Sequence, residues 1–386
     1  MCATSGFAHA ALRSRSPADS VGQPVGAIAL LGNCDSPVDA LDDYVSAMVS
    51  ALRAHDVTLR PYRVEWSRFR LAALVPLWSA ARAWRGQLVL VQYTALQWSR
   101  RGFPVLLLAV LFVLRTRGAR IGAVFHDPGP APVRRETHMV KRLVDHVRRV
   151  VQVRVMRALE HQSMLSVFTI PTQRVLWLNE ETPRQLFLPA GSNVPPCASS
   201  RTGSVPTVVV FAMSSGERMA GEVATVAAAA RAAASAVGPI RLLVIGRNAA
   251  SARRLFEVAL NGSSVDLAVI GVVALTALSR ALAEADVMLF VRGHVSSRRG
   301  SVIAGLAHGL PVVGYTGEET GPPMIDAGVV LVPEGDTGAF CDALTRVLSD
   351  GAFRQNLAAR SRAAFSEHFS WDVIAGRLAE RLRDAQ

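Results

Sequence analysis

Residues 285–317, ADVMLFVRGHVSSRRGSVIAGLAHGLPVVGYTG, decide the fold of this 386-residue chain. Val287 to Val291 is a short, apolar, β-branched run of the kind that fits a parallel strand buried on both faces. Ser301 to His308 predicts a helix that Gly309 ends, and Leu310 to Val313 reads as the next strand. A strand, a Gly/Ser/Arg turn, a helix and a strand in this order put the turn at the carboxyl edge of the sheet, where open α/β sheets bind ligands. The helix N-terminus offers N–H groups and a positive dipole end. With Ser297, Arg298, Arg299, Gly300 and Ser301 around it, the turn suits a diphosphate. A lone pair of arginines is ordinarily a solvated charge; the position of this pair is what gives it a ligand.

The same pattern extends in both directions. Val25 to Leu31 predicts a first strand, with Gly32 opening a turn through Pro37 and a helix from about Val38. Further strands are read at Leu88 to Gln92, Ile121 to Phe125, Gln185 to Leu188, Thr207 to Phe211, Leu242 to Ile245, Leu267 to Ile270 and Val329 to Val332. Gly246 and Gly271 each close one of them at the expected cleft edge. Ala224 to Ala236 is an alanine-dense helix. Proline, glycine and serine gather between Leu188 and Pro206 as a linker. The expected architecture is α/β: two Rossmann-like domains with an interdomain cleft and a C-terminal helix. Residues 1–24 form a flexible tail, 25–188 a first domain, 189–206 the linker and 207–365 a second domain, and 366–386 a final helix packing back toward the first. The length suits two domains with separate cores.

These segments resemble the GT-B glycosyltransferases, most of all the retaining family 4. The resemblance rests on Ala285-Asp286-Val287, AHGLPVVGYTG, Val329 to Asp336 and Phe369-Ser370-Trp371 in the second half. In the first half it rests on the stretch from Val91 to Pro130, which ends in the pair His126-Asp127. It implies an acceptor-binding first domain, a nucleotide-sugar-binding second domain and transfer with retention, the departing phosphate itself helping to deprotonate the acceptor. It implies no cofactor, only a nucleotide diphosphate sugar as co-substrate. His126 and Asp127 then face the acceptor or the transferred sugar. Arg218, in Ser214-Ser215-Gly216-Glu217-Arg218, falls on the donor phosphates with Gly216 beside it. Gly32, having no side chain, lets a ligand approach closely or merely makes a strand-to-helix turn.

One departure stands out. Family 4 enzymes carry two glutamates eight positions apart, and here Ser297 and Gly305 hold those places. Neither is a carboxylate, so the sugar and ribose contacts must be replaced or lost. Glu318 and Glu319, on the following turn, are candidates to accept bonds from sugar hydroxyls. The loss keeps open a non-catalytic nucleotide- or glycan-binding partner of an active transferase; the other alternative is a nucleotide-sugar epimerase or a phosphorylase on the same fold, against which stands the lack of a pyridoxal-phosphate site and of a set of cleft carboxylates and histidines.

Half the residues are hydrophobic and 19% are charged, as in a globular protein. The net charge of +12 is uneven. Residues 1–200 carry 24 basic against 13 acidic side chains, and residues 201–386 carry 18 against 17. Arg134, Arg135, Lys141, Arg142, Arg148, Arg149, Arg154 and Arg157 alternate with valine, leucine and methionine at helical spacing, which predicts a basic amphipathic helix for an anionic membrane surface. Nucleic acid is the competing partner, but aromatic residues are only 6% and no zinc-finger or RNP-type pattern occurs. Phe103 to Leu114 is too short to span a bilayer and is bounded by arginines. No secretory signal is evident, and Cys2, Cys34, Cys197 and Cys341 follow neither metal-ligand nor disulfide spacing. With no Asp-x-Asp pattern either, no metal site is expected. The predicted setting is the cytoplasm, possible docking on the inner face of the membrane included, in bacterial surface polysaccharide or glycolipid synthesis.

Overall fold

The computed structural model describes residues 25–33, 40–66, 70–131, 139–198, 203 and 205–385. The expected tail, the turn from Cys34 to Pro37, Cys2, Arg134 and Arg135 lie outside them. Among the described residues, the first sheet has strands β1 (Val25–Leu31), β2 (Val57–Arg63), β3 (Leu88–Tyr93), β4 (Arg120–Phe125), β5 (Leu165–Phe168) and β6 (Gln185–Phe187). They run parallel in the order β2-β1-β3-β4-β5-β6. The second has β7 (Thr207–Phe211), β8 (Ile240–Ile245), β9 (Val265–Ile270), β10 (Val287–His294), β11 (Val312–Tyr315) and β12 (Val329–Val332). These are also parallel, in the order β12-β11-β10-β7-β8-β9.

Central strands read as unbroken apolar runs because helices cover both faces. Every residue of β3, Leu-Val-Leu-Val-Gln-Tyr, is buried. One face of the first sheet is covered by α2 (Leu74–Ala80), α3 (Leu106–Thr116) and α4 (Met139–Gln162), whose inner side chains Leu77, Leu107, Leu111 and Met156 join Val89, Val91 and Phe125 in one cluster. The other face is covered by α1 (Ala40–Arg53) and by the last helix of the chain. In the second half α5 (Glu217–Val237), α6 (Ala249–Leu260), α7 (Leu275–Ala283), α8 (Gly300–Ala307), α9 (Thr337–Ser349) and α10 (Gly351–Ala364) flank the second sheet. The alanines predicted as a helix lie in α5, where Ala227, Ala230, Ala233 and Ala234 are buried and let α9 come close.

The final helix, α11 (Trp371–Asp384), returns to the first sheet: Ile374, Leu378 and Leu382 share a core with Leu41, Val45 and Met48 of α1. Its entry is fixed by Trp371, whose indole N–H donates to the Ser192 carbonyl at 2.7 Å and whose ring edge meets Tyr44 at 5.1 Å. Gly191 lies under that indole, so close that a β-carbon would fall 2.4 Å from the ring. No described helix is long and apolar enough to cross a membrane.

In each sheet the connections change direction at one place, between β1 and β3 and between β7 and β10. Ligands bind at such points, beyond the carboxyl ends of the strands. The two edges face one another.

Candidate active site

Between those edges lies a cavity of about 830 Å³. Tyr93, the last residue of β3, and Asp127, just after β4, border it from the first half. Arg218, in the first turn of α5, His294, ending β10, Arg298 and Arg299, ahead of α8, and Glu318 and Glu319, after β11, border it from the second. Six arginines line it in all, because Arg100, Arg101 and Arg148 join from the first half.

The adjacent arginines are used differently. Arg298 is held by two carboxylates: its Nε and Nη2 donate to Glu319 at 2.7 and 2.9 Å, and its Nη1 donates to Asp127 across the cleft at 2.7 Å. Burial pulls its pKa down, but Asp127 and Glu319 outweigh that and raise it above the ordinary arginine value. Arg298 is therefore a bridge between the halves. Arg299 has no such partner at Nε, which is buried without a hydrogen bond. Burial first, and the charge of Arg298 second, push its pKa down to about 10. A cation so placed gains most from an incoming anion.

Behind Arg299 stands Arg292, half-buried on β10. Burial lowers its pKa, Glu222 pulls it up and Arg247 pulls it down again. Glu222 in turn accepts from the Ser214 N–H at 2.8 Å, fixing the loop before α5. Two helix N-termini complete the positive field. Neither α5, preceded by Gly216 at φ +69°, nor α8, preceded by Arg299, has a side-chain cap. Gly300 is exposed at the start of α8, with Ser301 half-buried after it.

Several sequence expectations need correction. Ser297, expected among the phosphate-binding groups, is 1% exposed, and its hydroxyl donates to the Thr169 carbonyl of the first half at 2.7 Å. Its own carbonyl accepts from the Ala190 N–H at 2.9 Å, so it joins the halves and faces no ligand. Gly32 is buried against the protein itself: a β-carbon there would lie 2.4 Å from the Gln97 carbonyl oxygen, and its N–H donates to Gln97 Oε1 at 3.2 Å. His126 does not border the cavity; it bonds Gln92 Oε1 at 2.8 Å and meets the edge of Tyr44 at 4.6 Å. Gly246, at φ +100° beneath the Phe211 ring, and Gly271 serve the ends of β8 and β9 away from this cavity.

Glu319 is engaged by Arg298, whereas Glu318 is exposed on the cavity wall. Gly305 could not have been replaced by a larger residue without a shift. A β-carbon there would lie 2.9 Å from Met288 Sδ and 3.4 Å from Val312.

His294 and Glu334 were not anticipated. The ring Nε2 and a Glu334 oxygen are 2.6 Å apart, and Gly317 makes room for the imidazole, since a β-carbon there would be 2.1 Å from it. The available signal was the histidine ending the very strand that leads into the arginine turn.

Residues 206–350 match the family model described as glycosyl transferases group 1. With its two facing parallel sheets and returning C-terminal helix, the chain has the GT-B fold. Sucrose-phosphate synthase from Thermosynechococcus elongatus superposes with a TM-score of 0.66 at 19% identity, over 94% of this chain and 100% of that one. Anabaena HepE in complex with UDP-glucose gives 0.62 at 13% identity, over 93% and 99%. A Listeria monocytogenes protein assigned as a UDP-N-acetylglucosamine 2-epimerase gives 0.60 at 11%, over 94% and 97%. No curated protein matches the chain.

Proposed function

We propose that this protein is a retaining, metal-independent glycosyltransferase. It moves a sugar from a nucleotide diphosphate sugar to a glycan or lipid-linked acceptor in the assembly of a bacterial surface polysaccharide or glycolipid. The observation that carries this is that Arg299 and Arg218, each at the start of a helix with no side-chain cap, line one interdomain cavity. Such a field favours the leaving diphosphate, whose charge grows as the glycosidic bond breaks. The HepE structure holds UDP-glucose, which supports a nucleotide sugar as donor.

In this reading residues 207–365 hold the donor and residues 25–188 the acceptor, joined through 189–206 and by the returning segment 366–386. Arg299 and Arg218 hold the diphosphate. Glu318 accepts bonds from the sugar hydroxyls in place of the family's absent glutamates. Asp127 closes the cleft through Arg298, excluding water from an activated donor. The departing phosphate takes the acceptor proton, so the protein supplies no nucleophile and no bound cofactor. The protein works on the cytoplasmic side, reaching anionic lipid through the basic helix α4.

A second reading is favoured by Ser297 and Gly305, both packed into the protein where carboxylates would be expected: nucleotide binding without transfer. The epimerase-like fold neighbour gives a third. A panel of nucleotide sugars, with and without glycan and glycolipid acceptors, separates the three. Transfer with the donor's anomeric configuration kept supports the proposal. Sugar inversion at a ring carbon without acceptor means an epimerase, and binding with no turnover means a binding partner.

A further inference from the structure

From Trp66 to His126 the chain contains nine arginines and not one aspartate or glutamate. That segment carries α2 and α3, which pack side by side, with α3 also against α4. All three bury their inner sides on the same face of the first sheet, yet α2, α3 and the first turns of α4 also carry exposed apolar side chains. Val75 is 72% exposed, Phe112 65% and Leu143 63%, with Leu71, Trp78 and Leu108 around them. Of the 20 large apolar side chains exposed among the described residues, 12 fall between Leu71 and Val147. Folding does not require this, since helices covering a sheet need only one apolar face. Exposed apolar side chains gathered on helices that pack side by side mark a contact surface.

The charges identify the partner. Arg117 lies over the Trp78 ring at 3.7 Å, at the margin of the apolar face, and Arg82, Arg115 and Arg142 belong to the same helical layer. An apolar centre with cationic neighbours and no local carboxylates on α2 or α3 fits anionic lipid headgroups over acyl chains. The face also reaches the cavity. Leu96 and Val144, both exposed, belong to its wall. We infer that the outer face of α2, α3 and α4 docks on an anionic bilayer with the cleft mouth against it, and that the acceptor is carried on a lipid. This rests on the transferase reading for the acceptor and on surface chemistry alone for the docking.

The test uses the full chain and phosphatidylcholine vesicles with and without phosphatidylglycerol. Wild type co-sediments with the anionic vesicles and much less with neutral ones. Val75→Ser and Phe112→Ser each lower vesicle affinity about tenfold or more, the loss expected when one large apolar side chain no longer leaves water. Leu96→Ser, at the cleft mouth, moves it in the same direction. All three sites are exposed, and UDP affinity in solution stays at the wild-type value in the Val75 and Phe112 variants, which lie outside the cavity lining. Docking is overturned if wild type ignores phosphatidylglycerol or if the serine variants bind vesicles as wild type does. It is overturned too if ultracentrifugation shows a dimer that Phe112→Ser dissociates while vesicle binding is absent. If only Leu96→Ser is silent, the mouth faces away from the bilayer and the lipid-borne acceptor is refuted. Failure of wild type to bind UDP would instead strike the donor reading and leave the vesicle result standing.

Discussion

The two sheets share one plan, six parallel strands with a reversal of direction near the middle, but their outer layers differ. Around the second sheet the exposed large apolar side chains are fewer, most of them between Leu255 and Leu275, and acidic and basic residues nearly balance. Its unusual chemistry is confined to the strand ends, where Arg299, Arg218 and His294 meet the cavity. Around the first sheet the strand ends are more conventional, with Gly32 and His126 bonded to neighbouring protein groups, while the outer helices are not. Each half has departed from a plain folding solution in one place. In the reading proposed above, the place in the first half faces a lipid surface and that in the second a nucleotide sugar.

Arg299→Ala should do the most damage to the second half. Loss of a charge-assisted phosphate contact costs about 1.5 to 3 kcal/mol, so UDP affinity measured by calorimetry should fall by roughly ten- to a hundredfold. An unchanged affinity would place the donor outside this cavity. Glu318→Gln comes next: the KM for the nucleotide sugar should rise several-fold, by about 1 kcal/mol of lost hydrogen bonding, while UDP itself binds as before. Equal effects on both ligands would mean that Glu318 meets the nucleotide and not the sugar.

Ser297→Ala should lower stability by about 1 kcal/mol, read as a reduced urea midpoint, because its hydroxyl bond to Thr169 is lost in a buried place. UDP affinity should not move, and a fall would return Ser297 to the donor site. Asp127→Asn should act more weakly still, by less than about 1 kcal/mol, because Asp127 is half exposed and screened by water. Its signature is a larger radius of gyration in small-angle scattering, from a cleft that opens more readily. Excess chelator should have no effect on transfer, since arginines supply the positive charge; rescue by Mn²⁺ of a chelated, inactive enzyme would overturn that account.

Much of this was legible in the chain. The bounds of β1, β7 and β12 follow from their apolar runs, and the arginine turn lies at the strand end that its glycine and helix signals implied. The edge strand β2 was not visible because Val57-Thr-Leu-Arg-Pro-Tyr-Arg mixes a proline and charges into its alternation, which an edge tolerates. The four residues of β5 were too few to separate from the end of α4. What the turn's side chains do was beyond any local pattern. The cross-cleft partner of Arg298 stands 171 positions earlier, and that of Ser297 128 positions earlier. Spacing within a segment reports which face a residue shares, and it is silent on which residue meets it from the opposite half.

The arginine-rich lining also bears on the end of the reaction. Six arginines against three carboxylates, Asp127, Glu318 and Glu319, leave the cavity wall with a surplus of three positive charges. A nucleoside diphosphate released from its sugar gains a terminal phosphate that carries about one more negative charge at neutral pH than it did in the ester. The spent nucleotide therefore matches the wall better than the fresh donor does. In the transferase reading such a cleft should hold its product, so added UDP should inhibit transfer and nucleotide release should be slow.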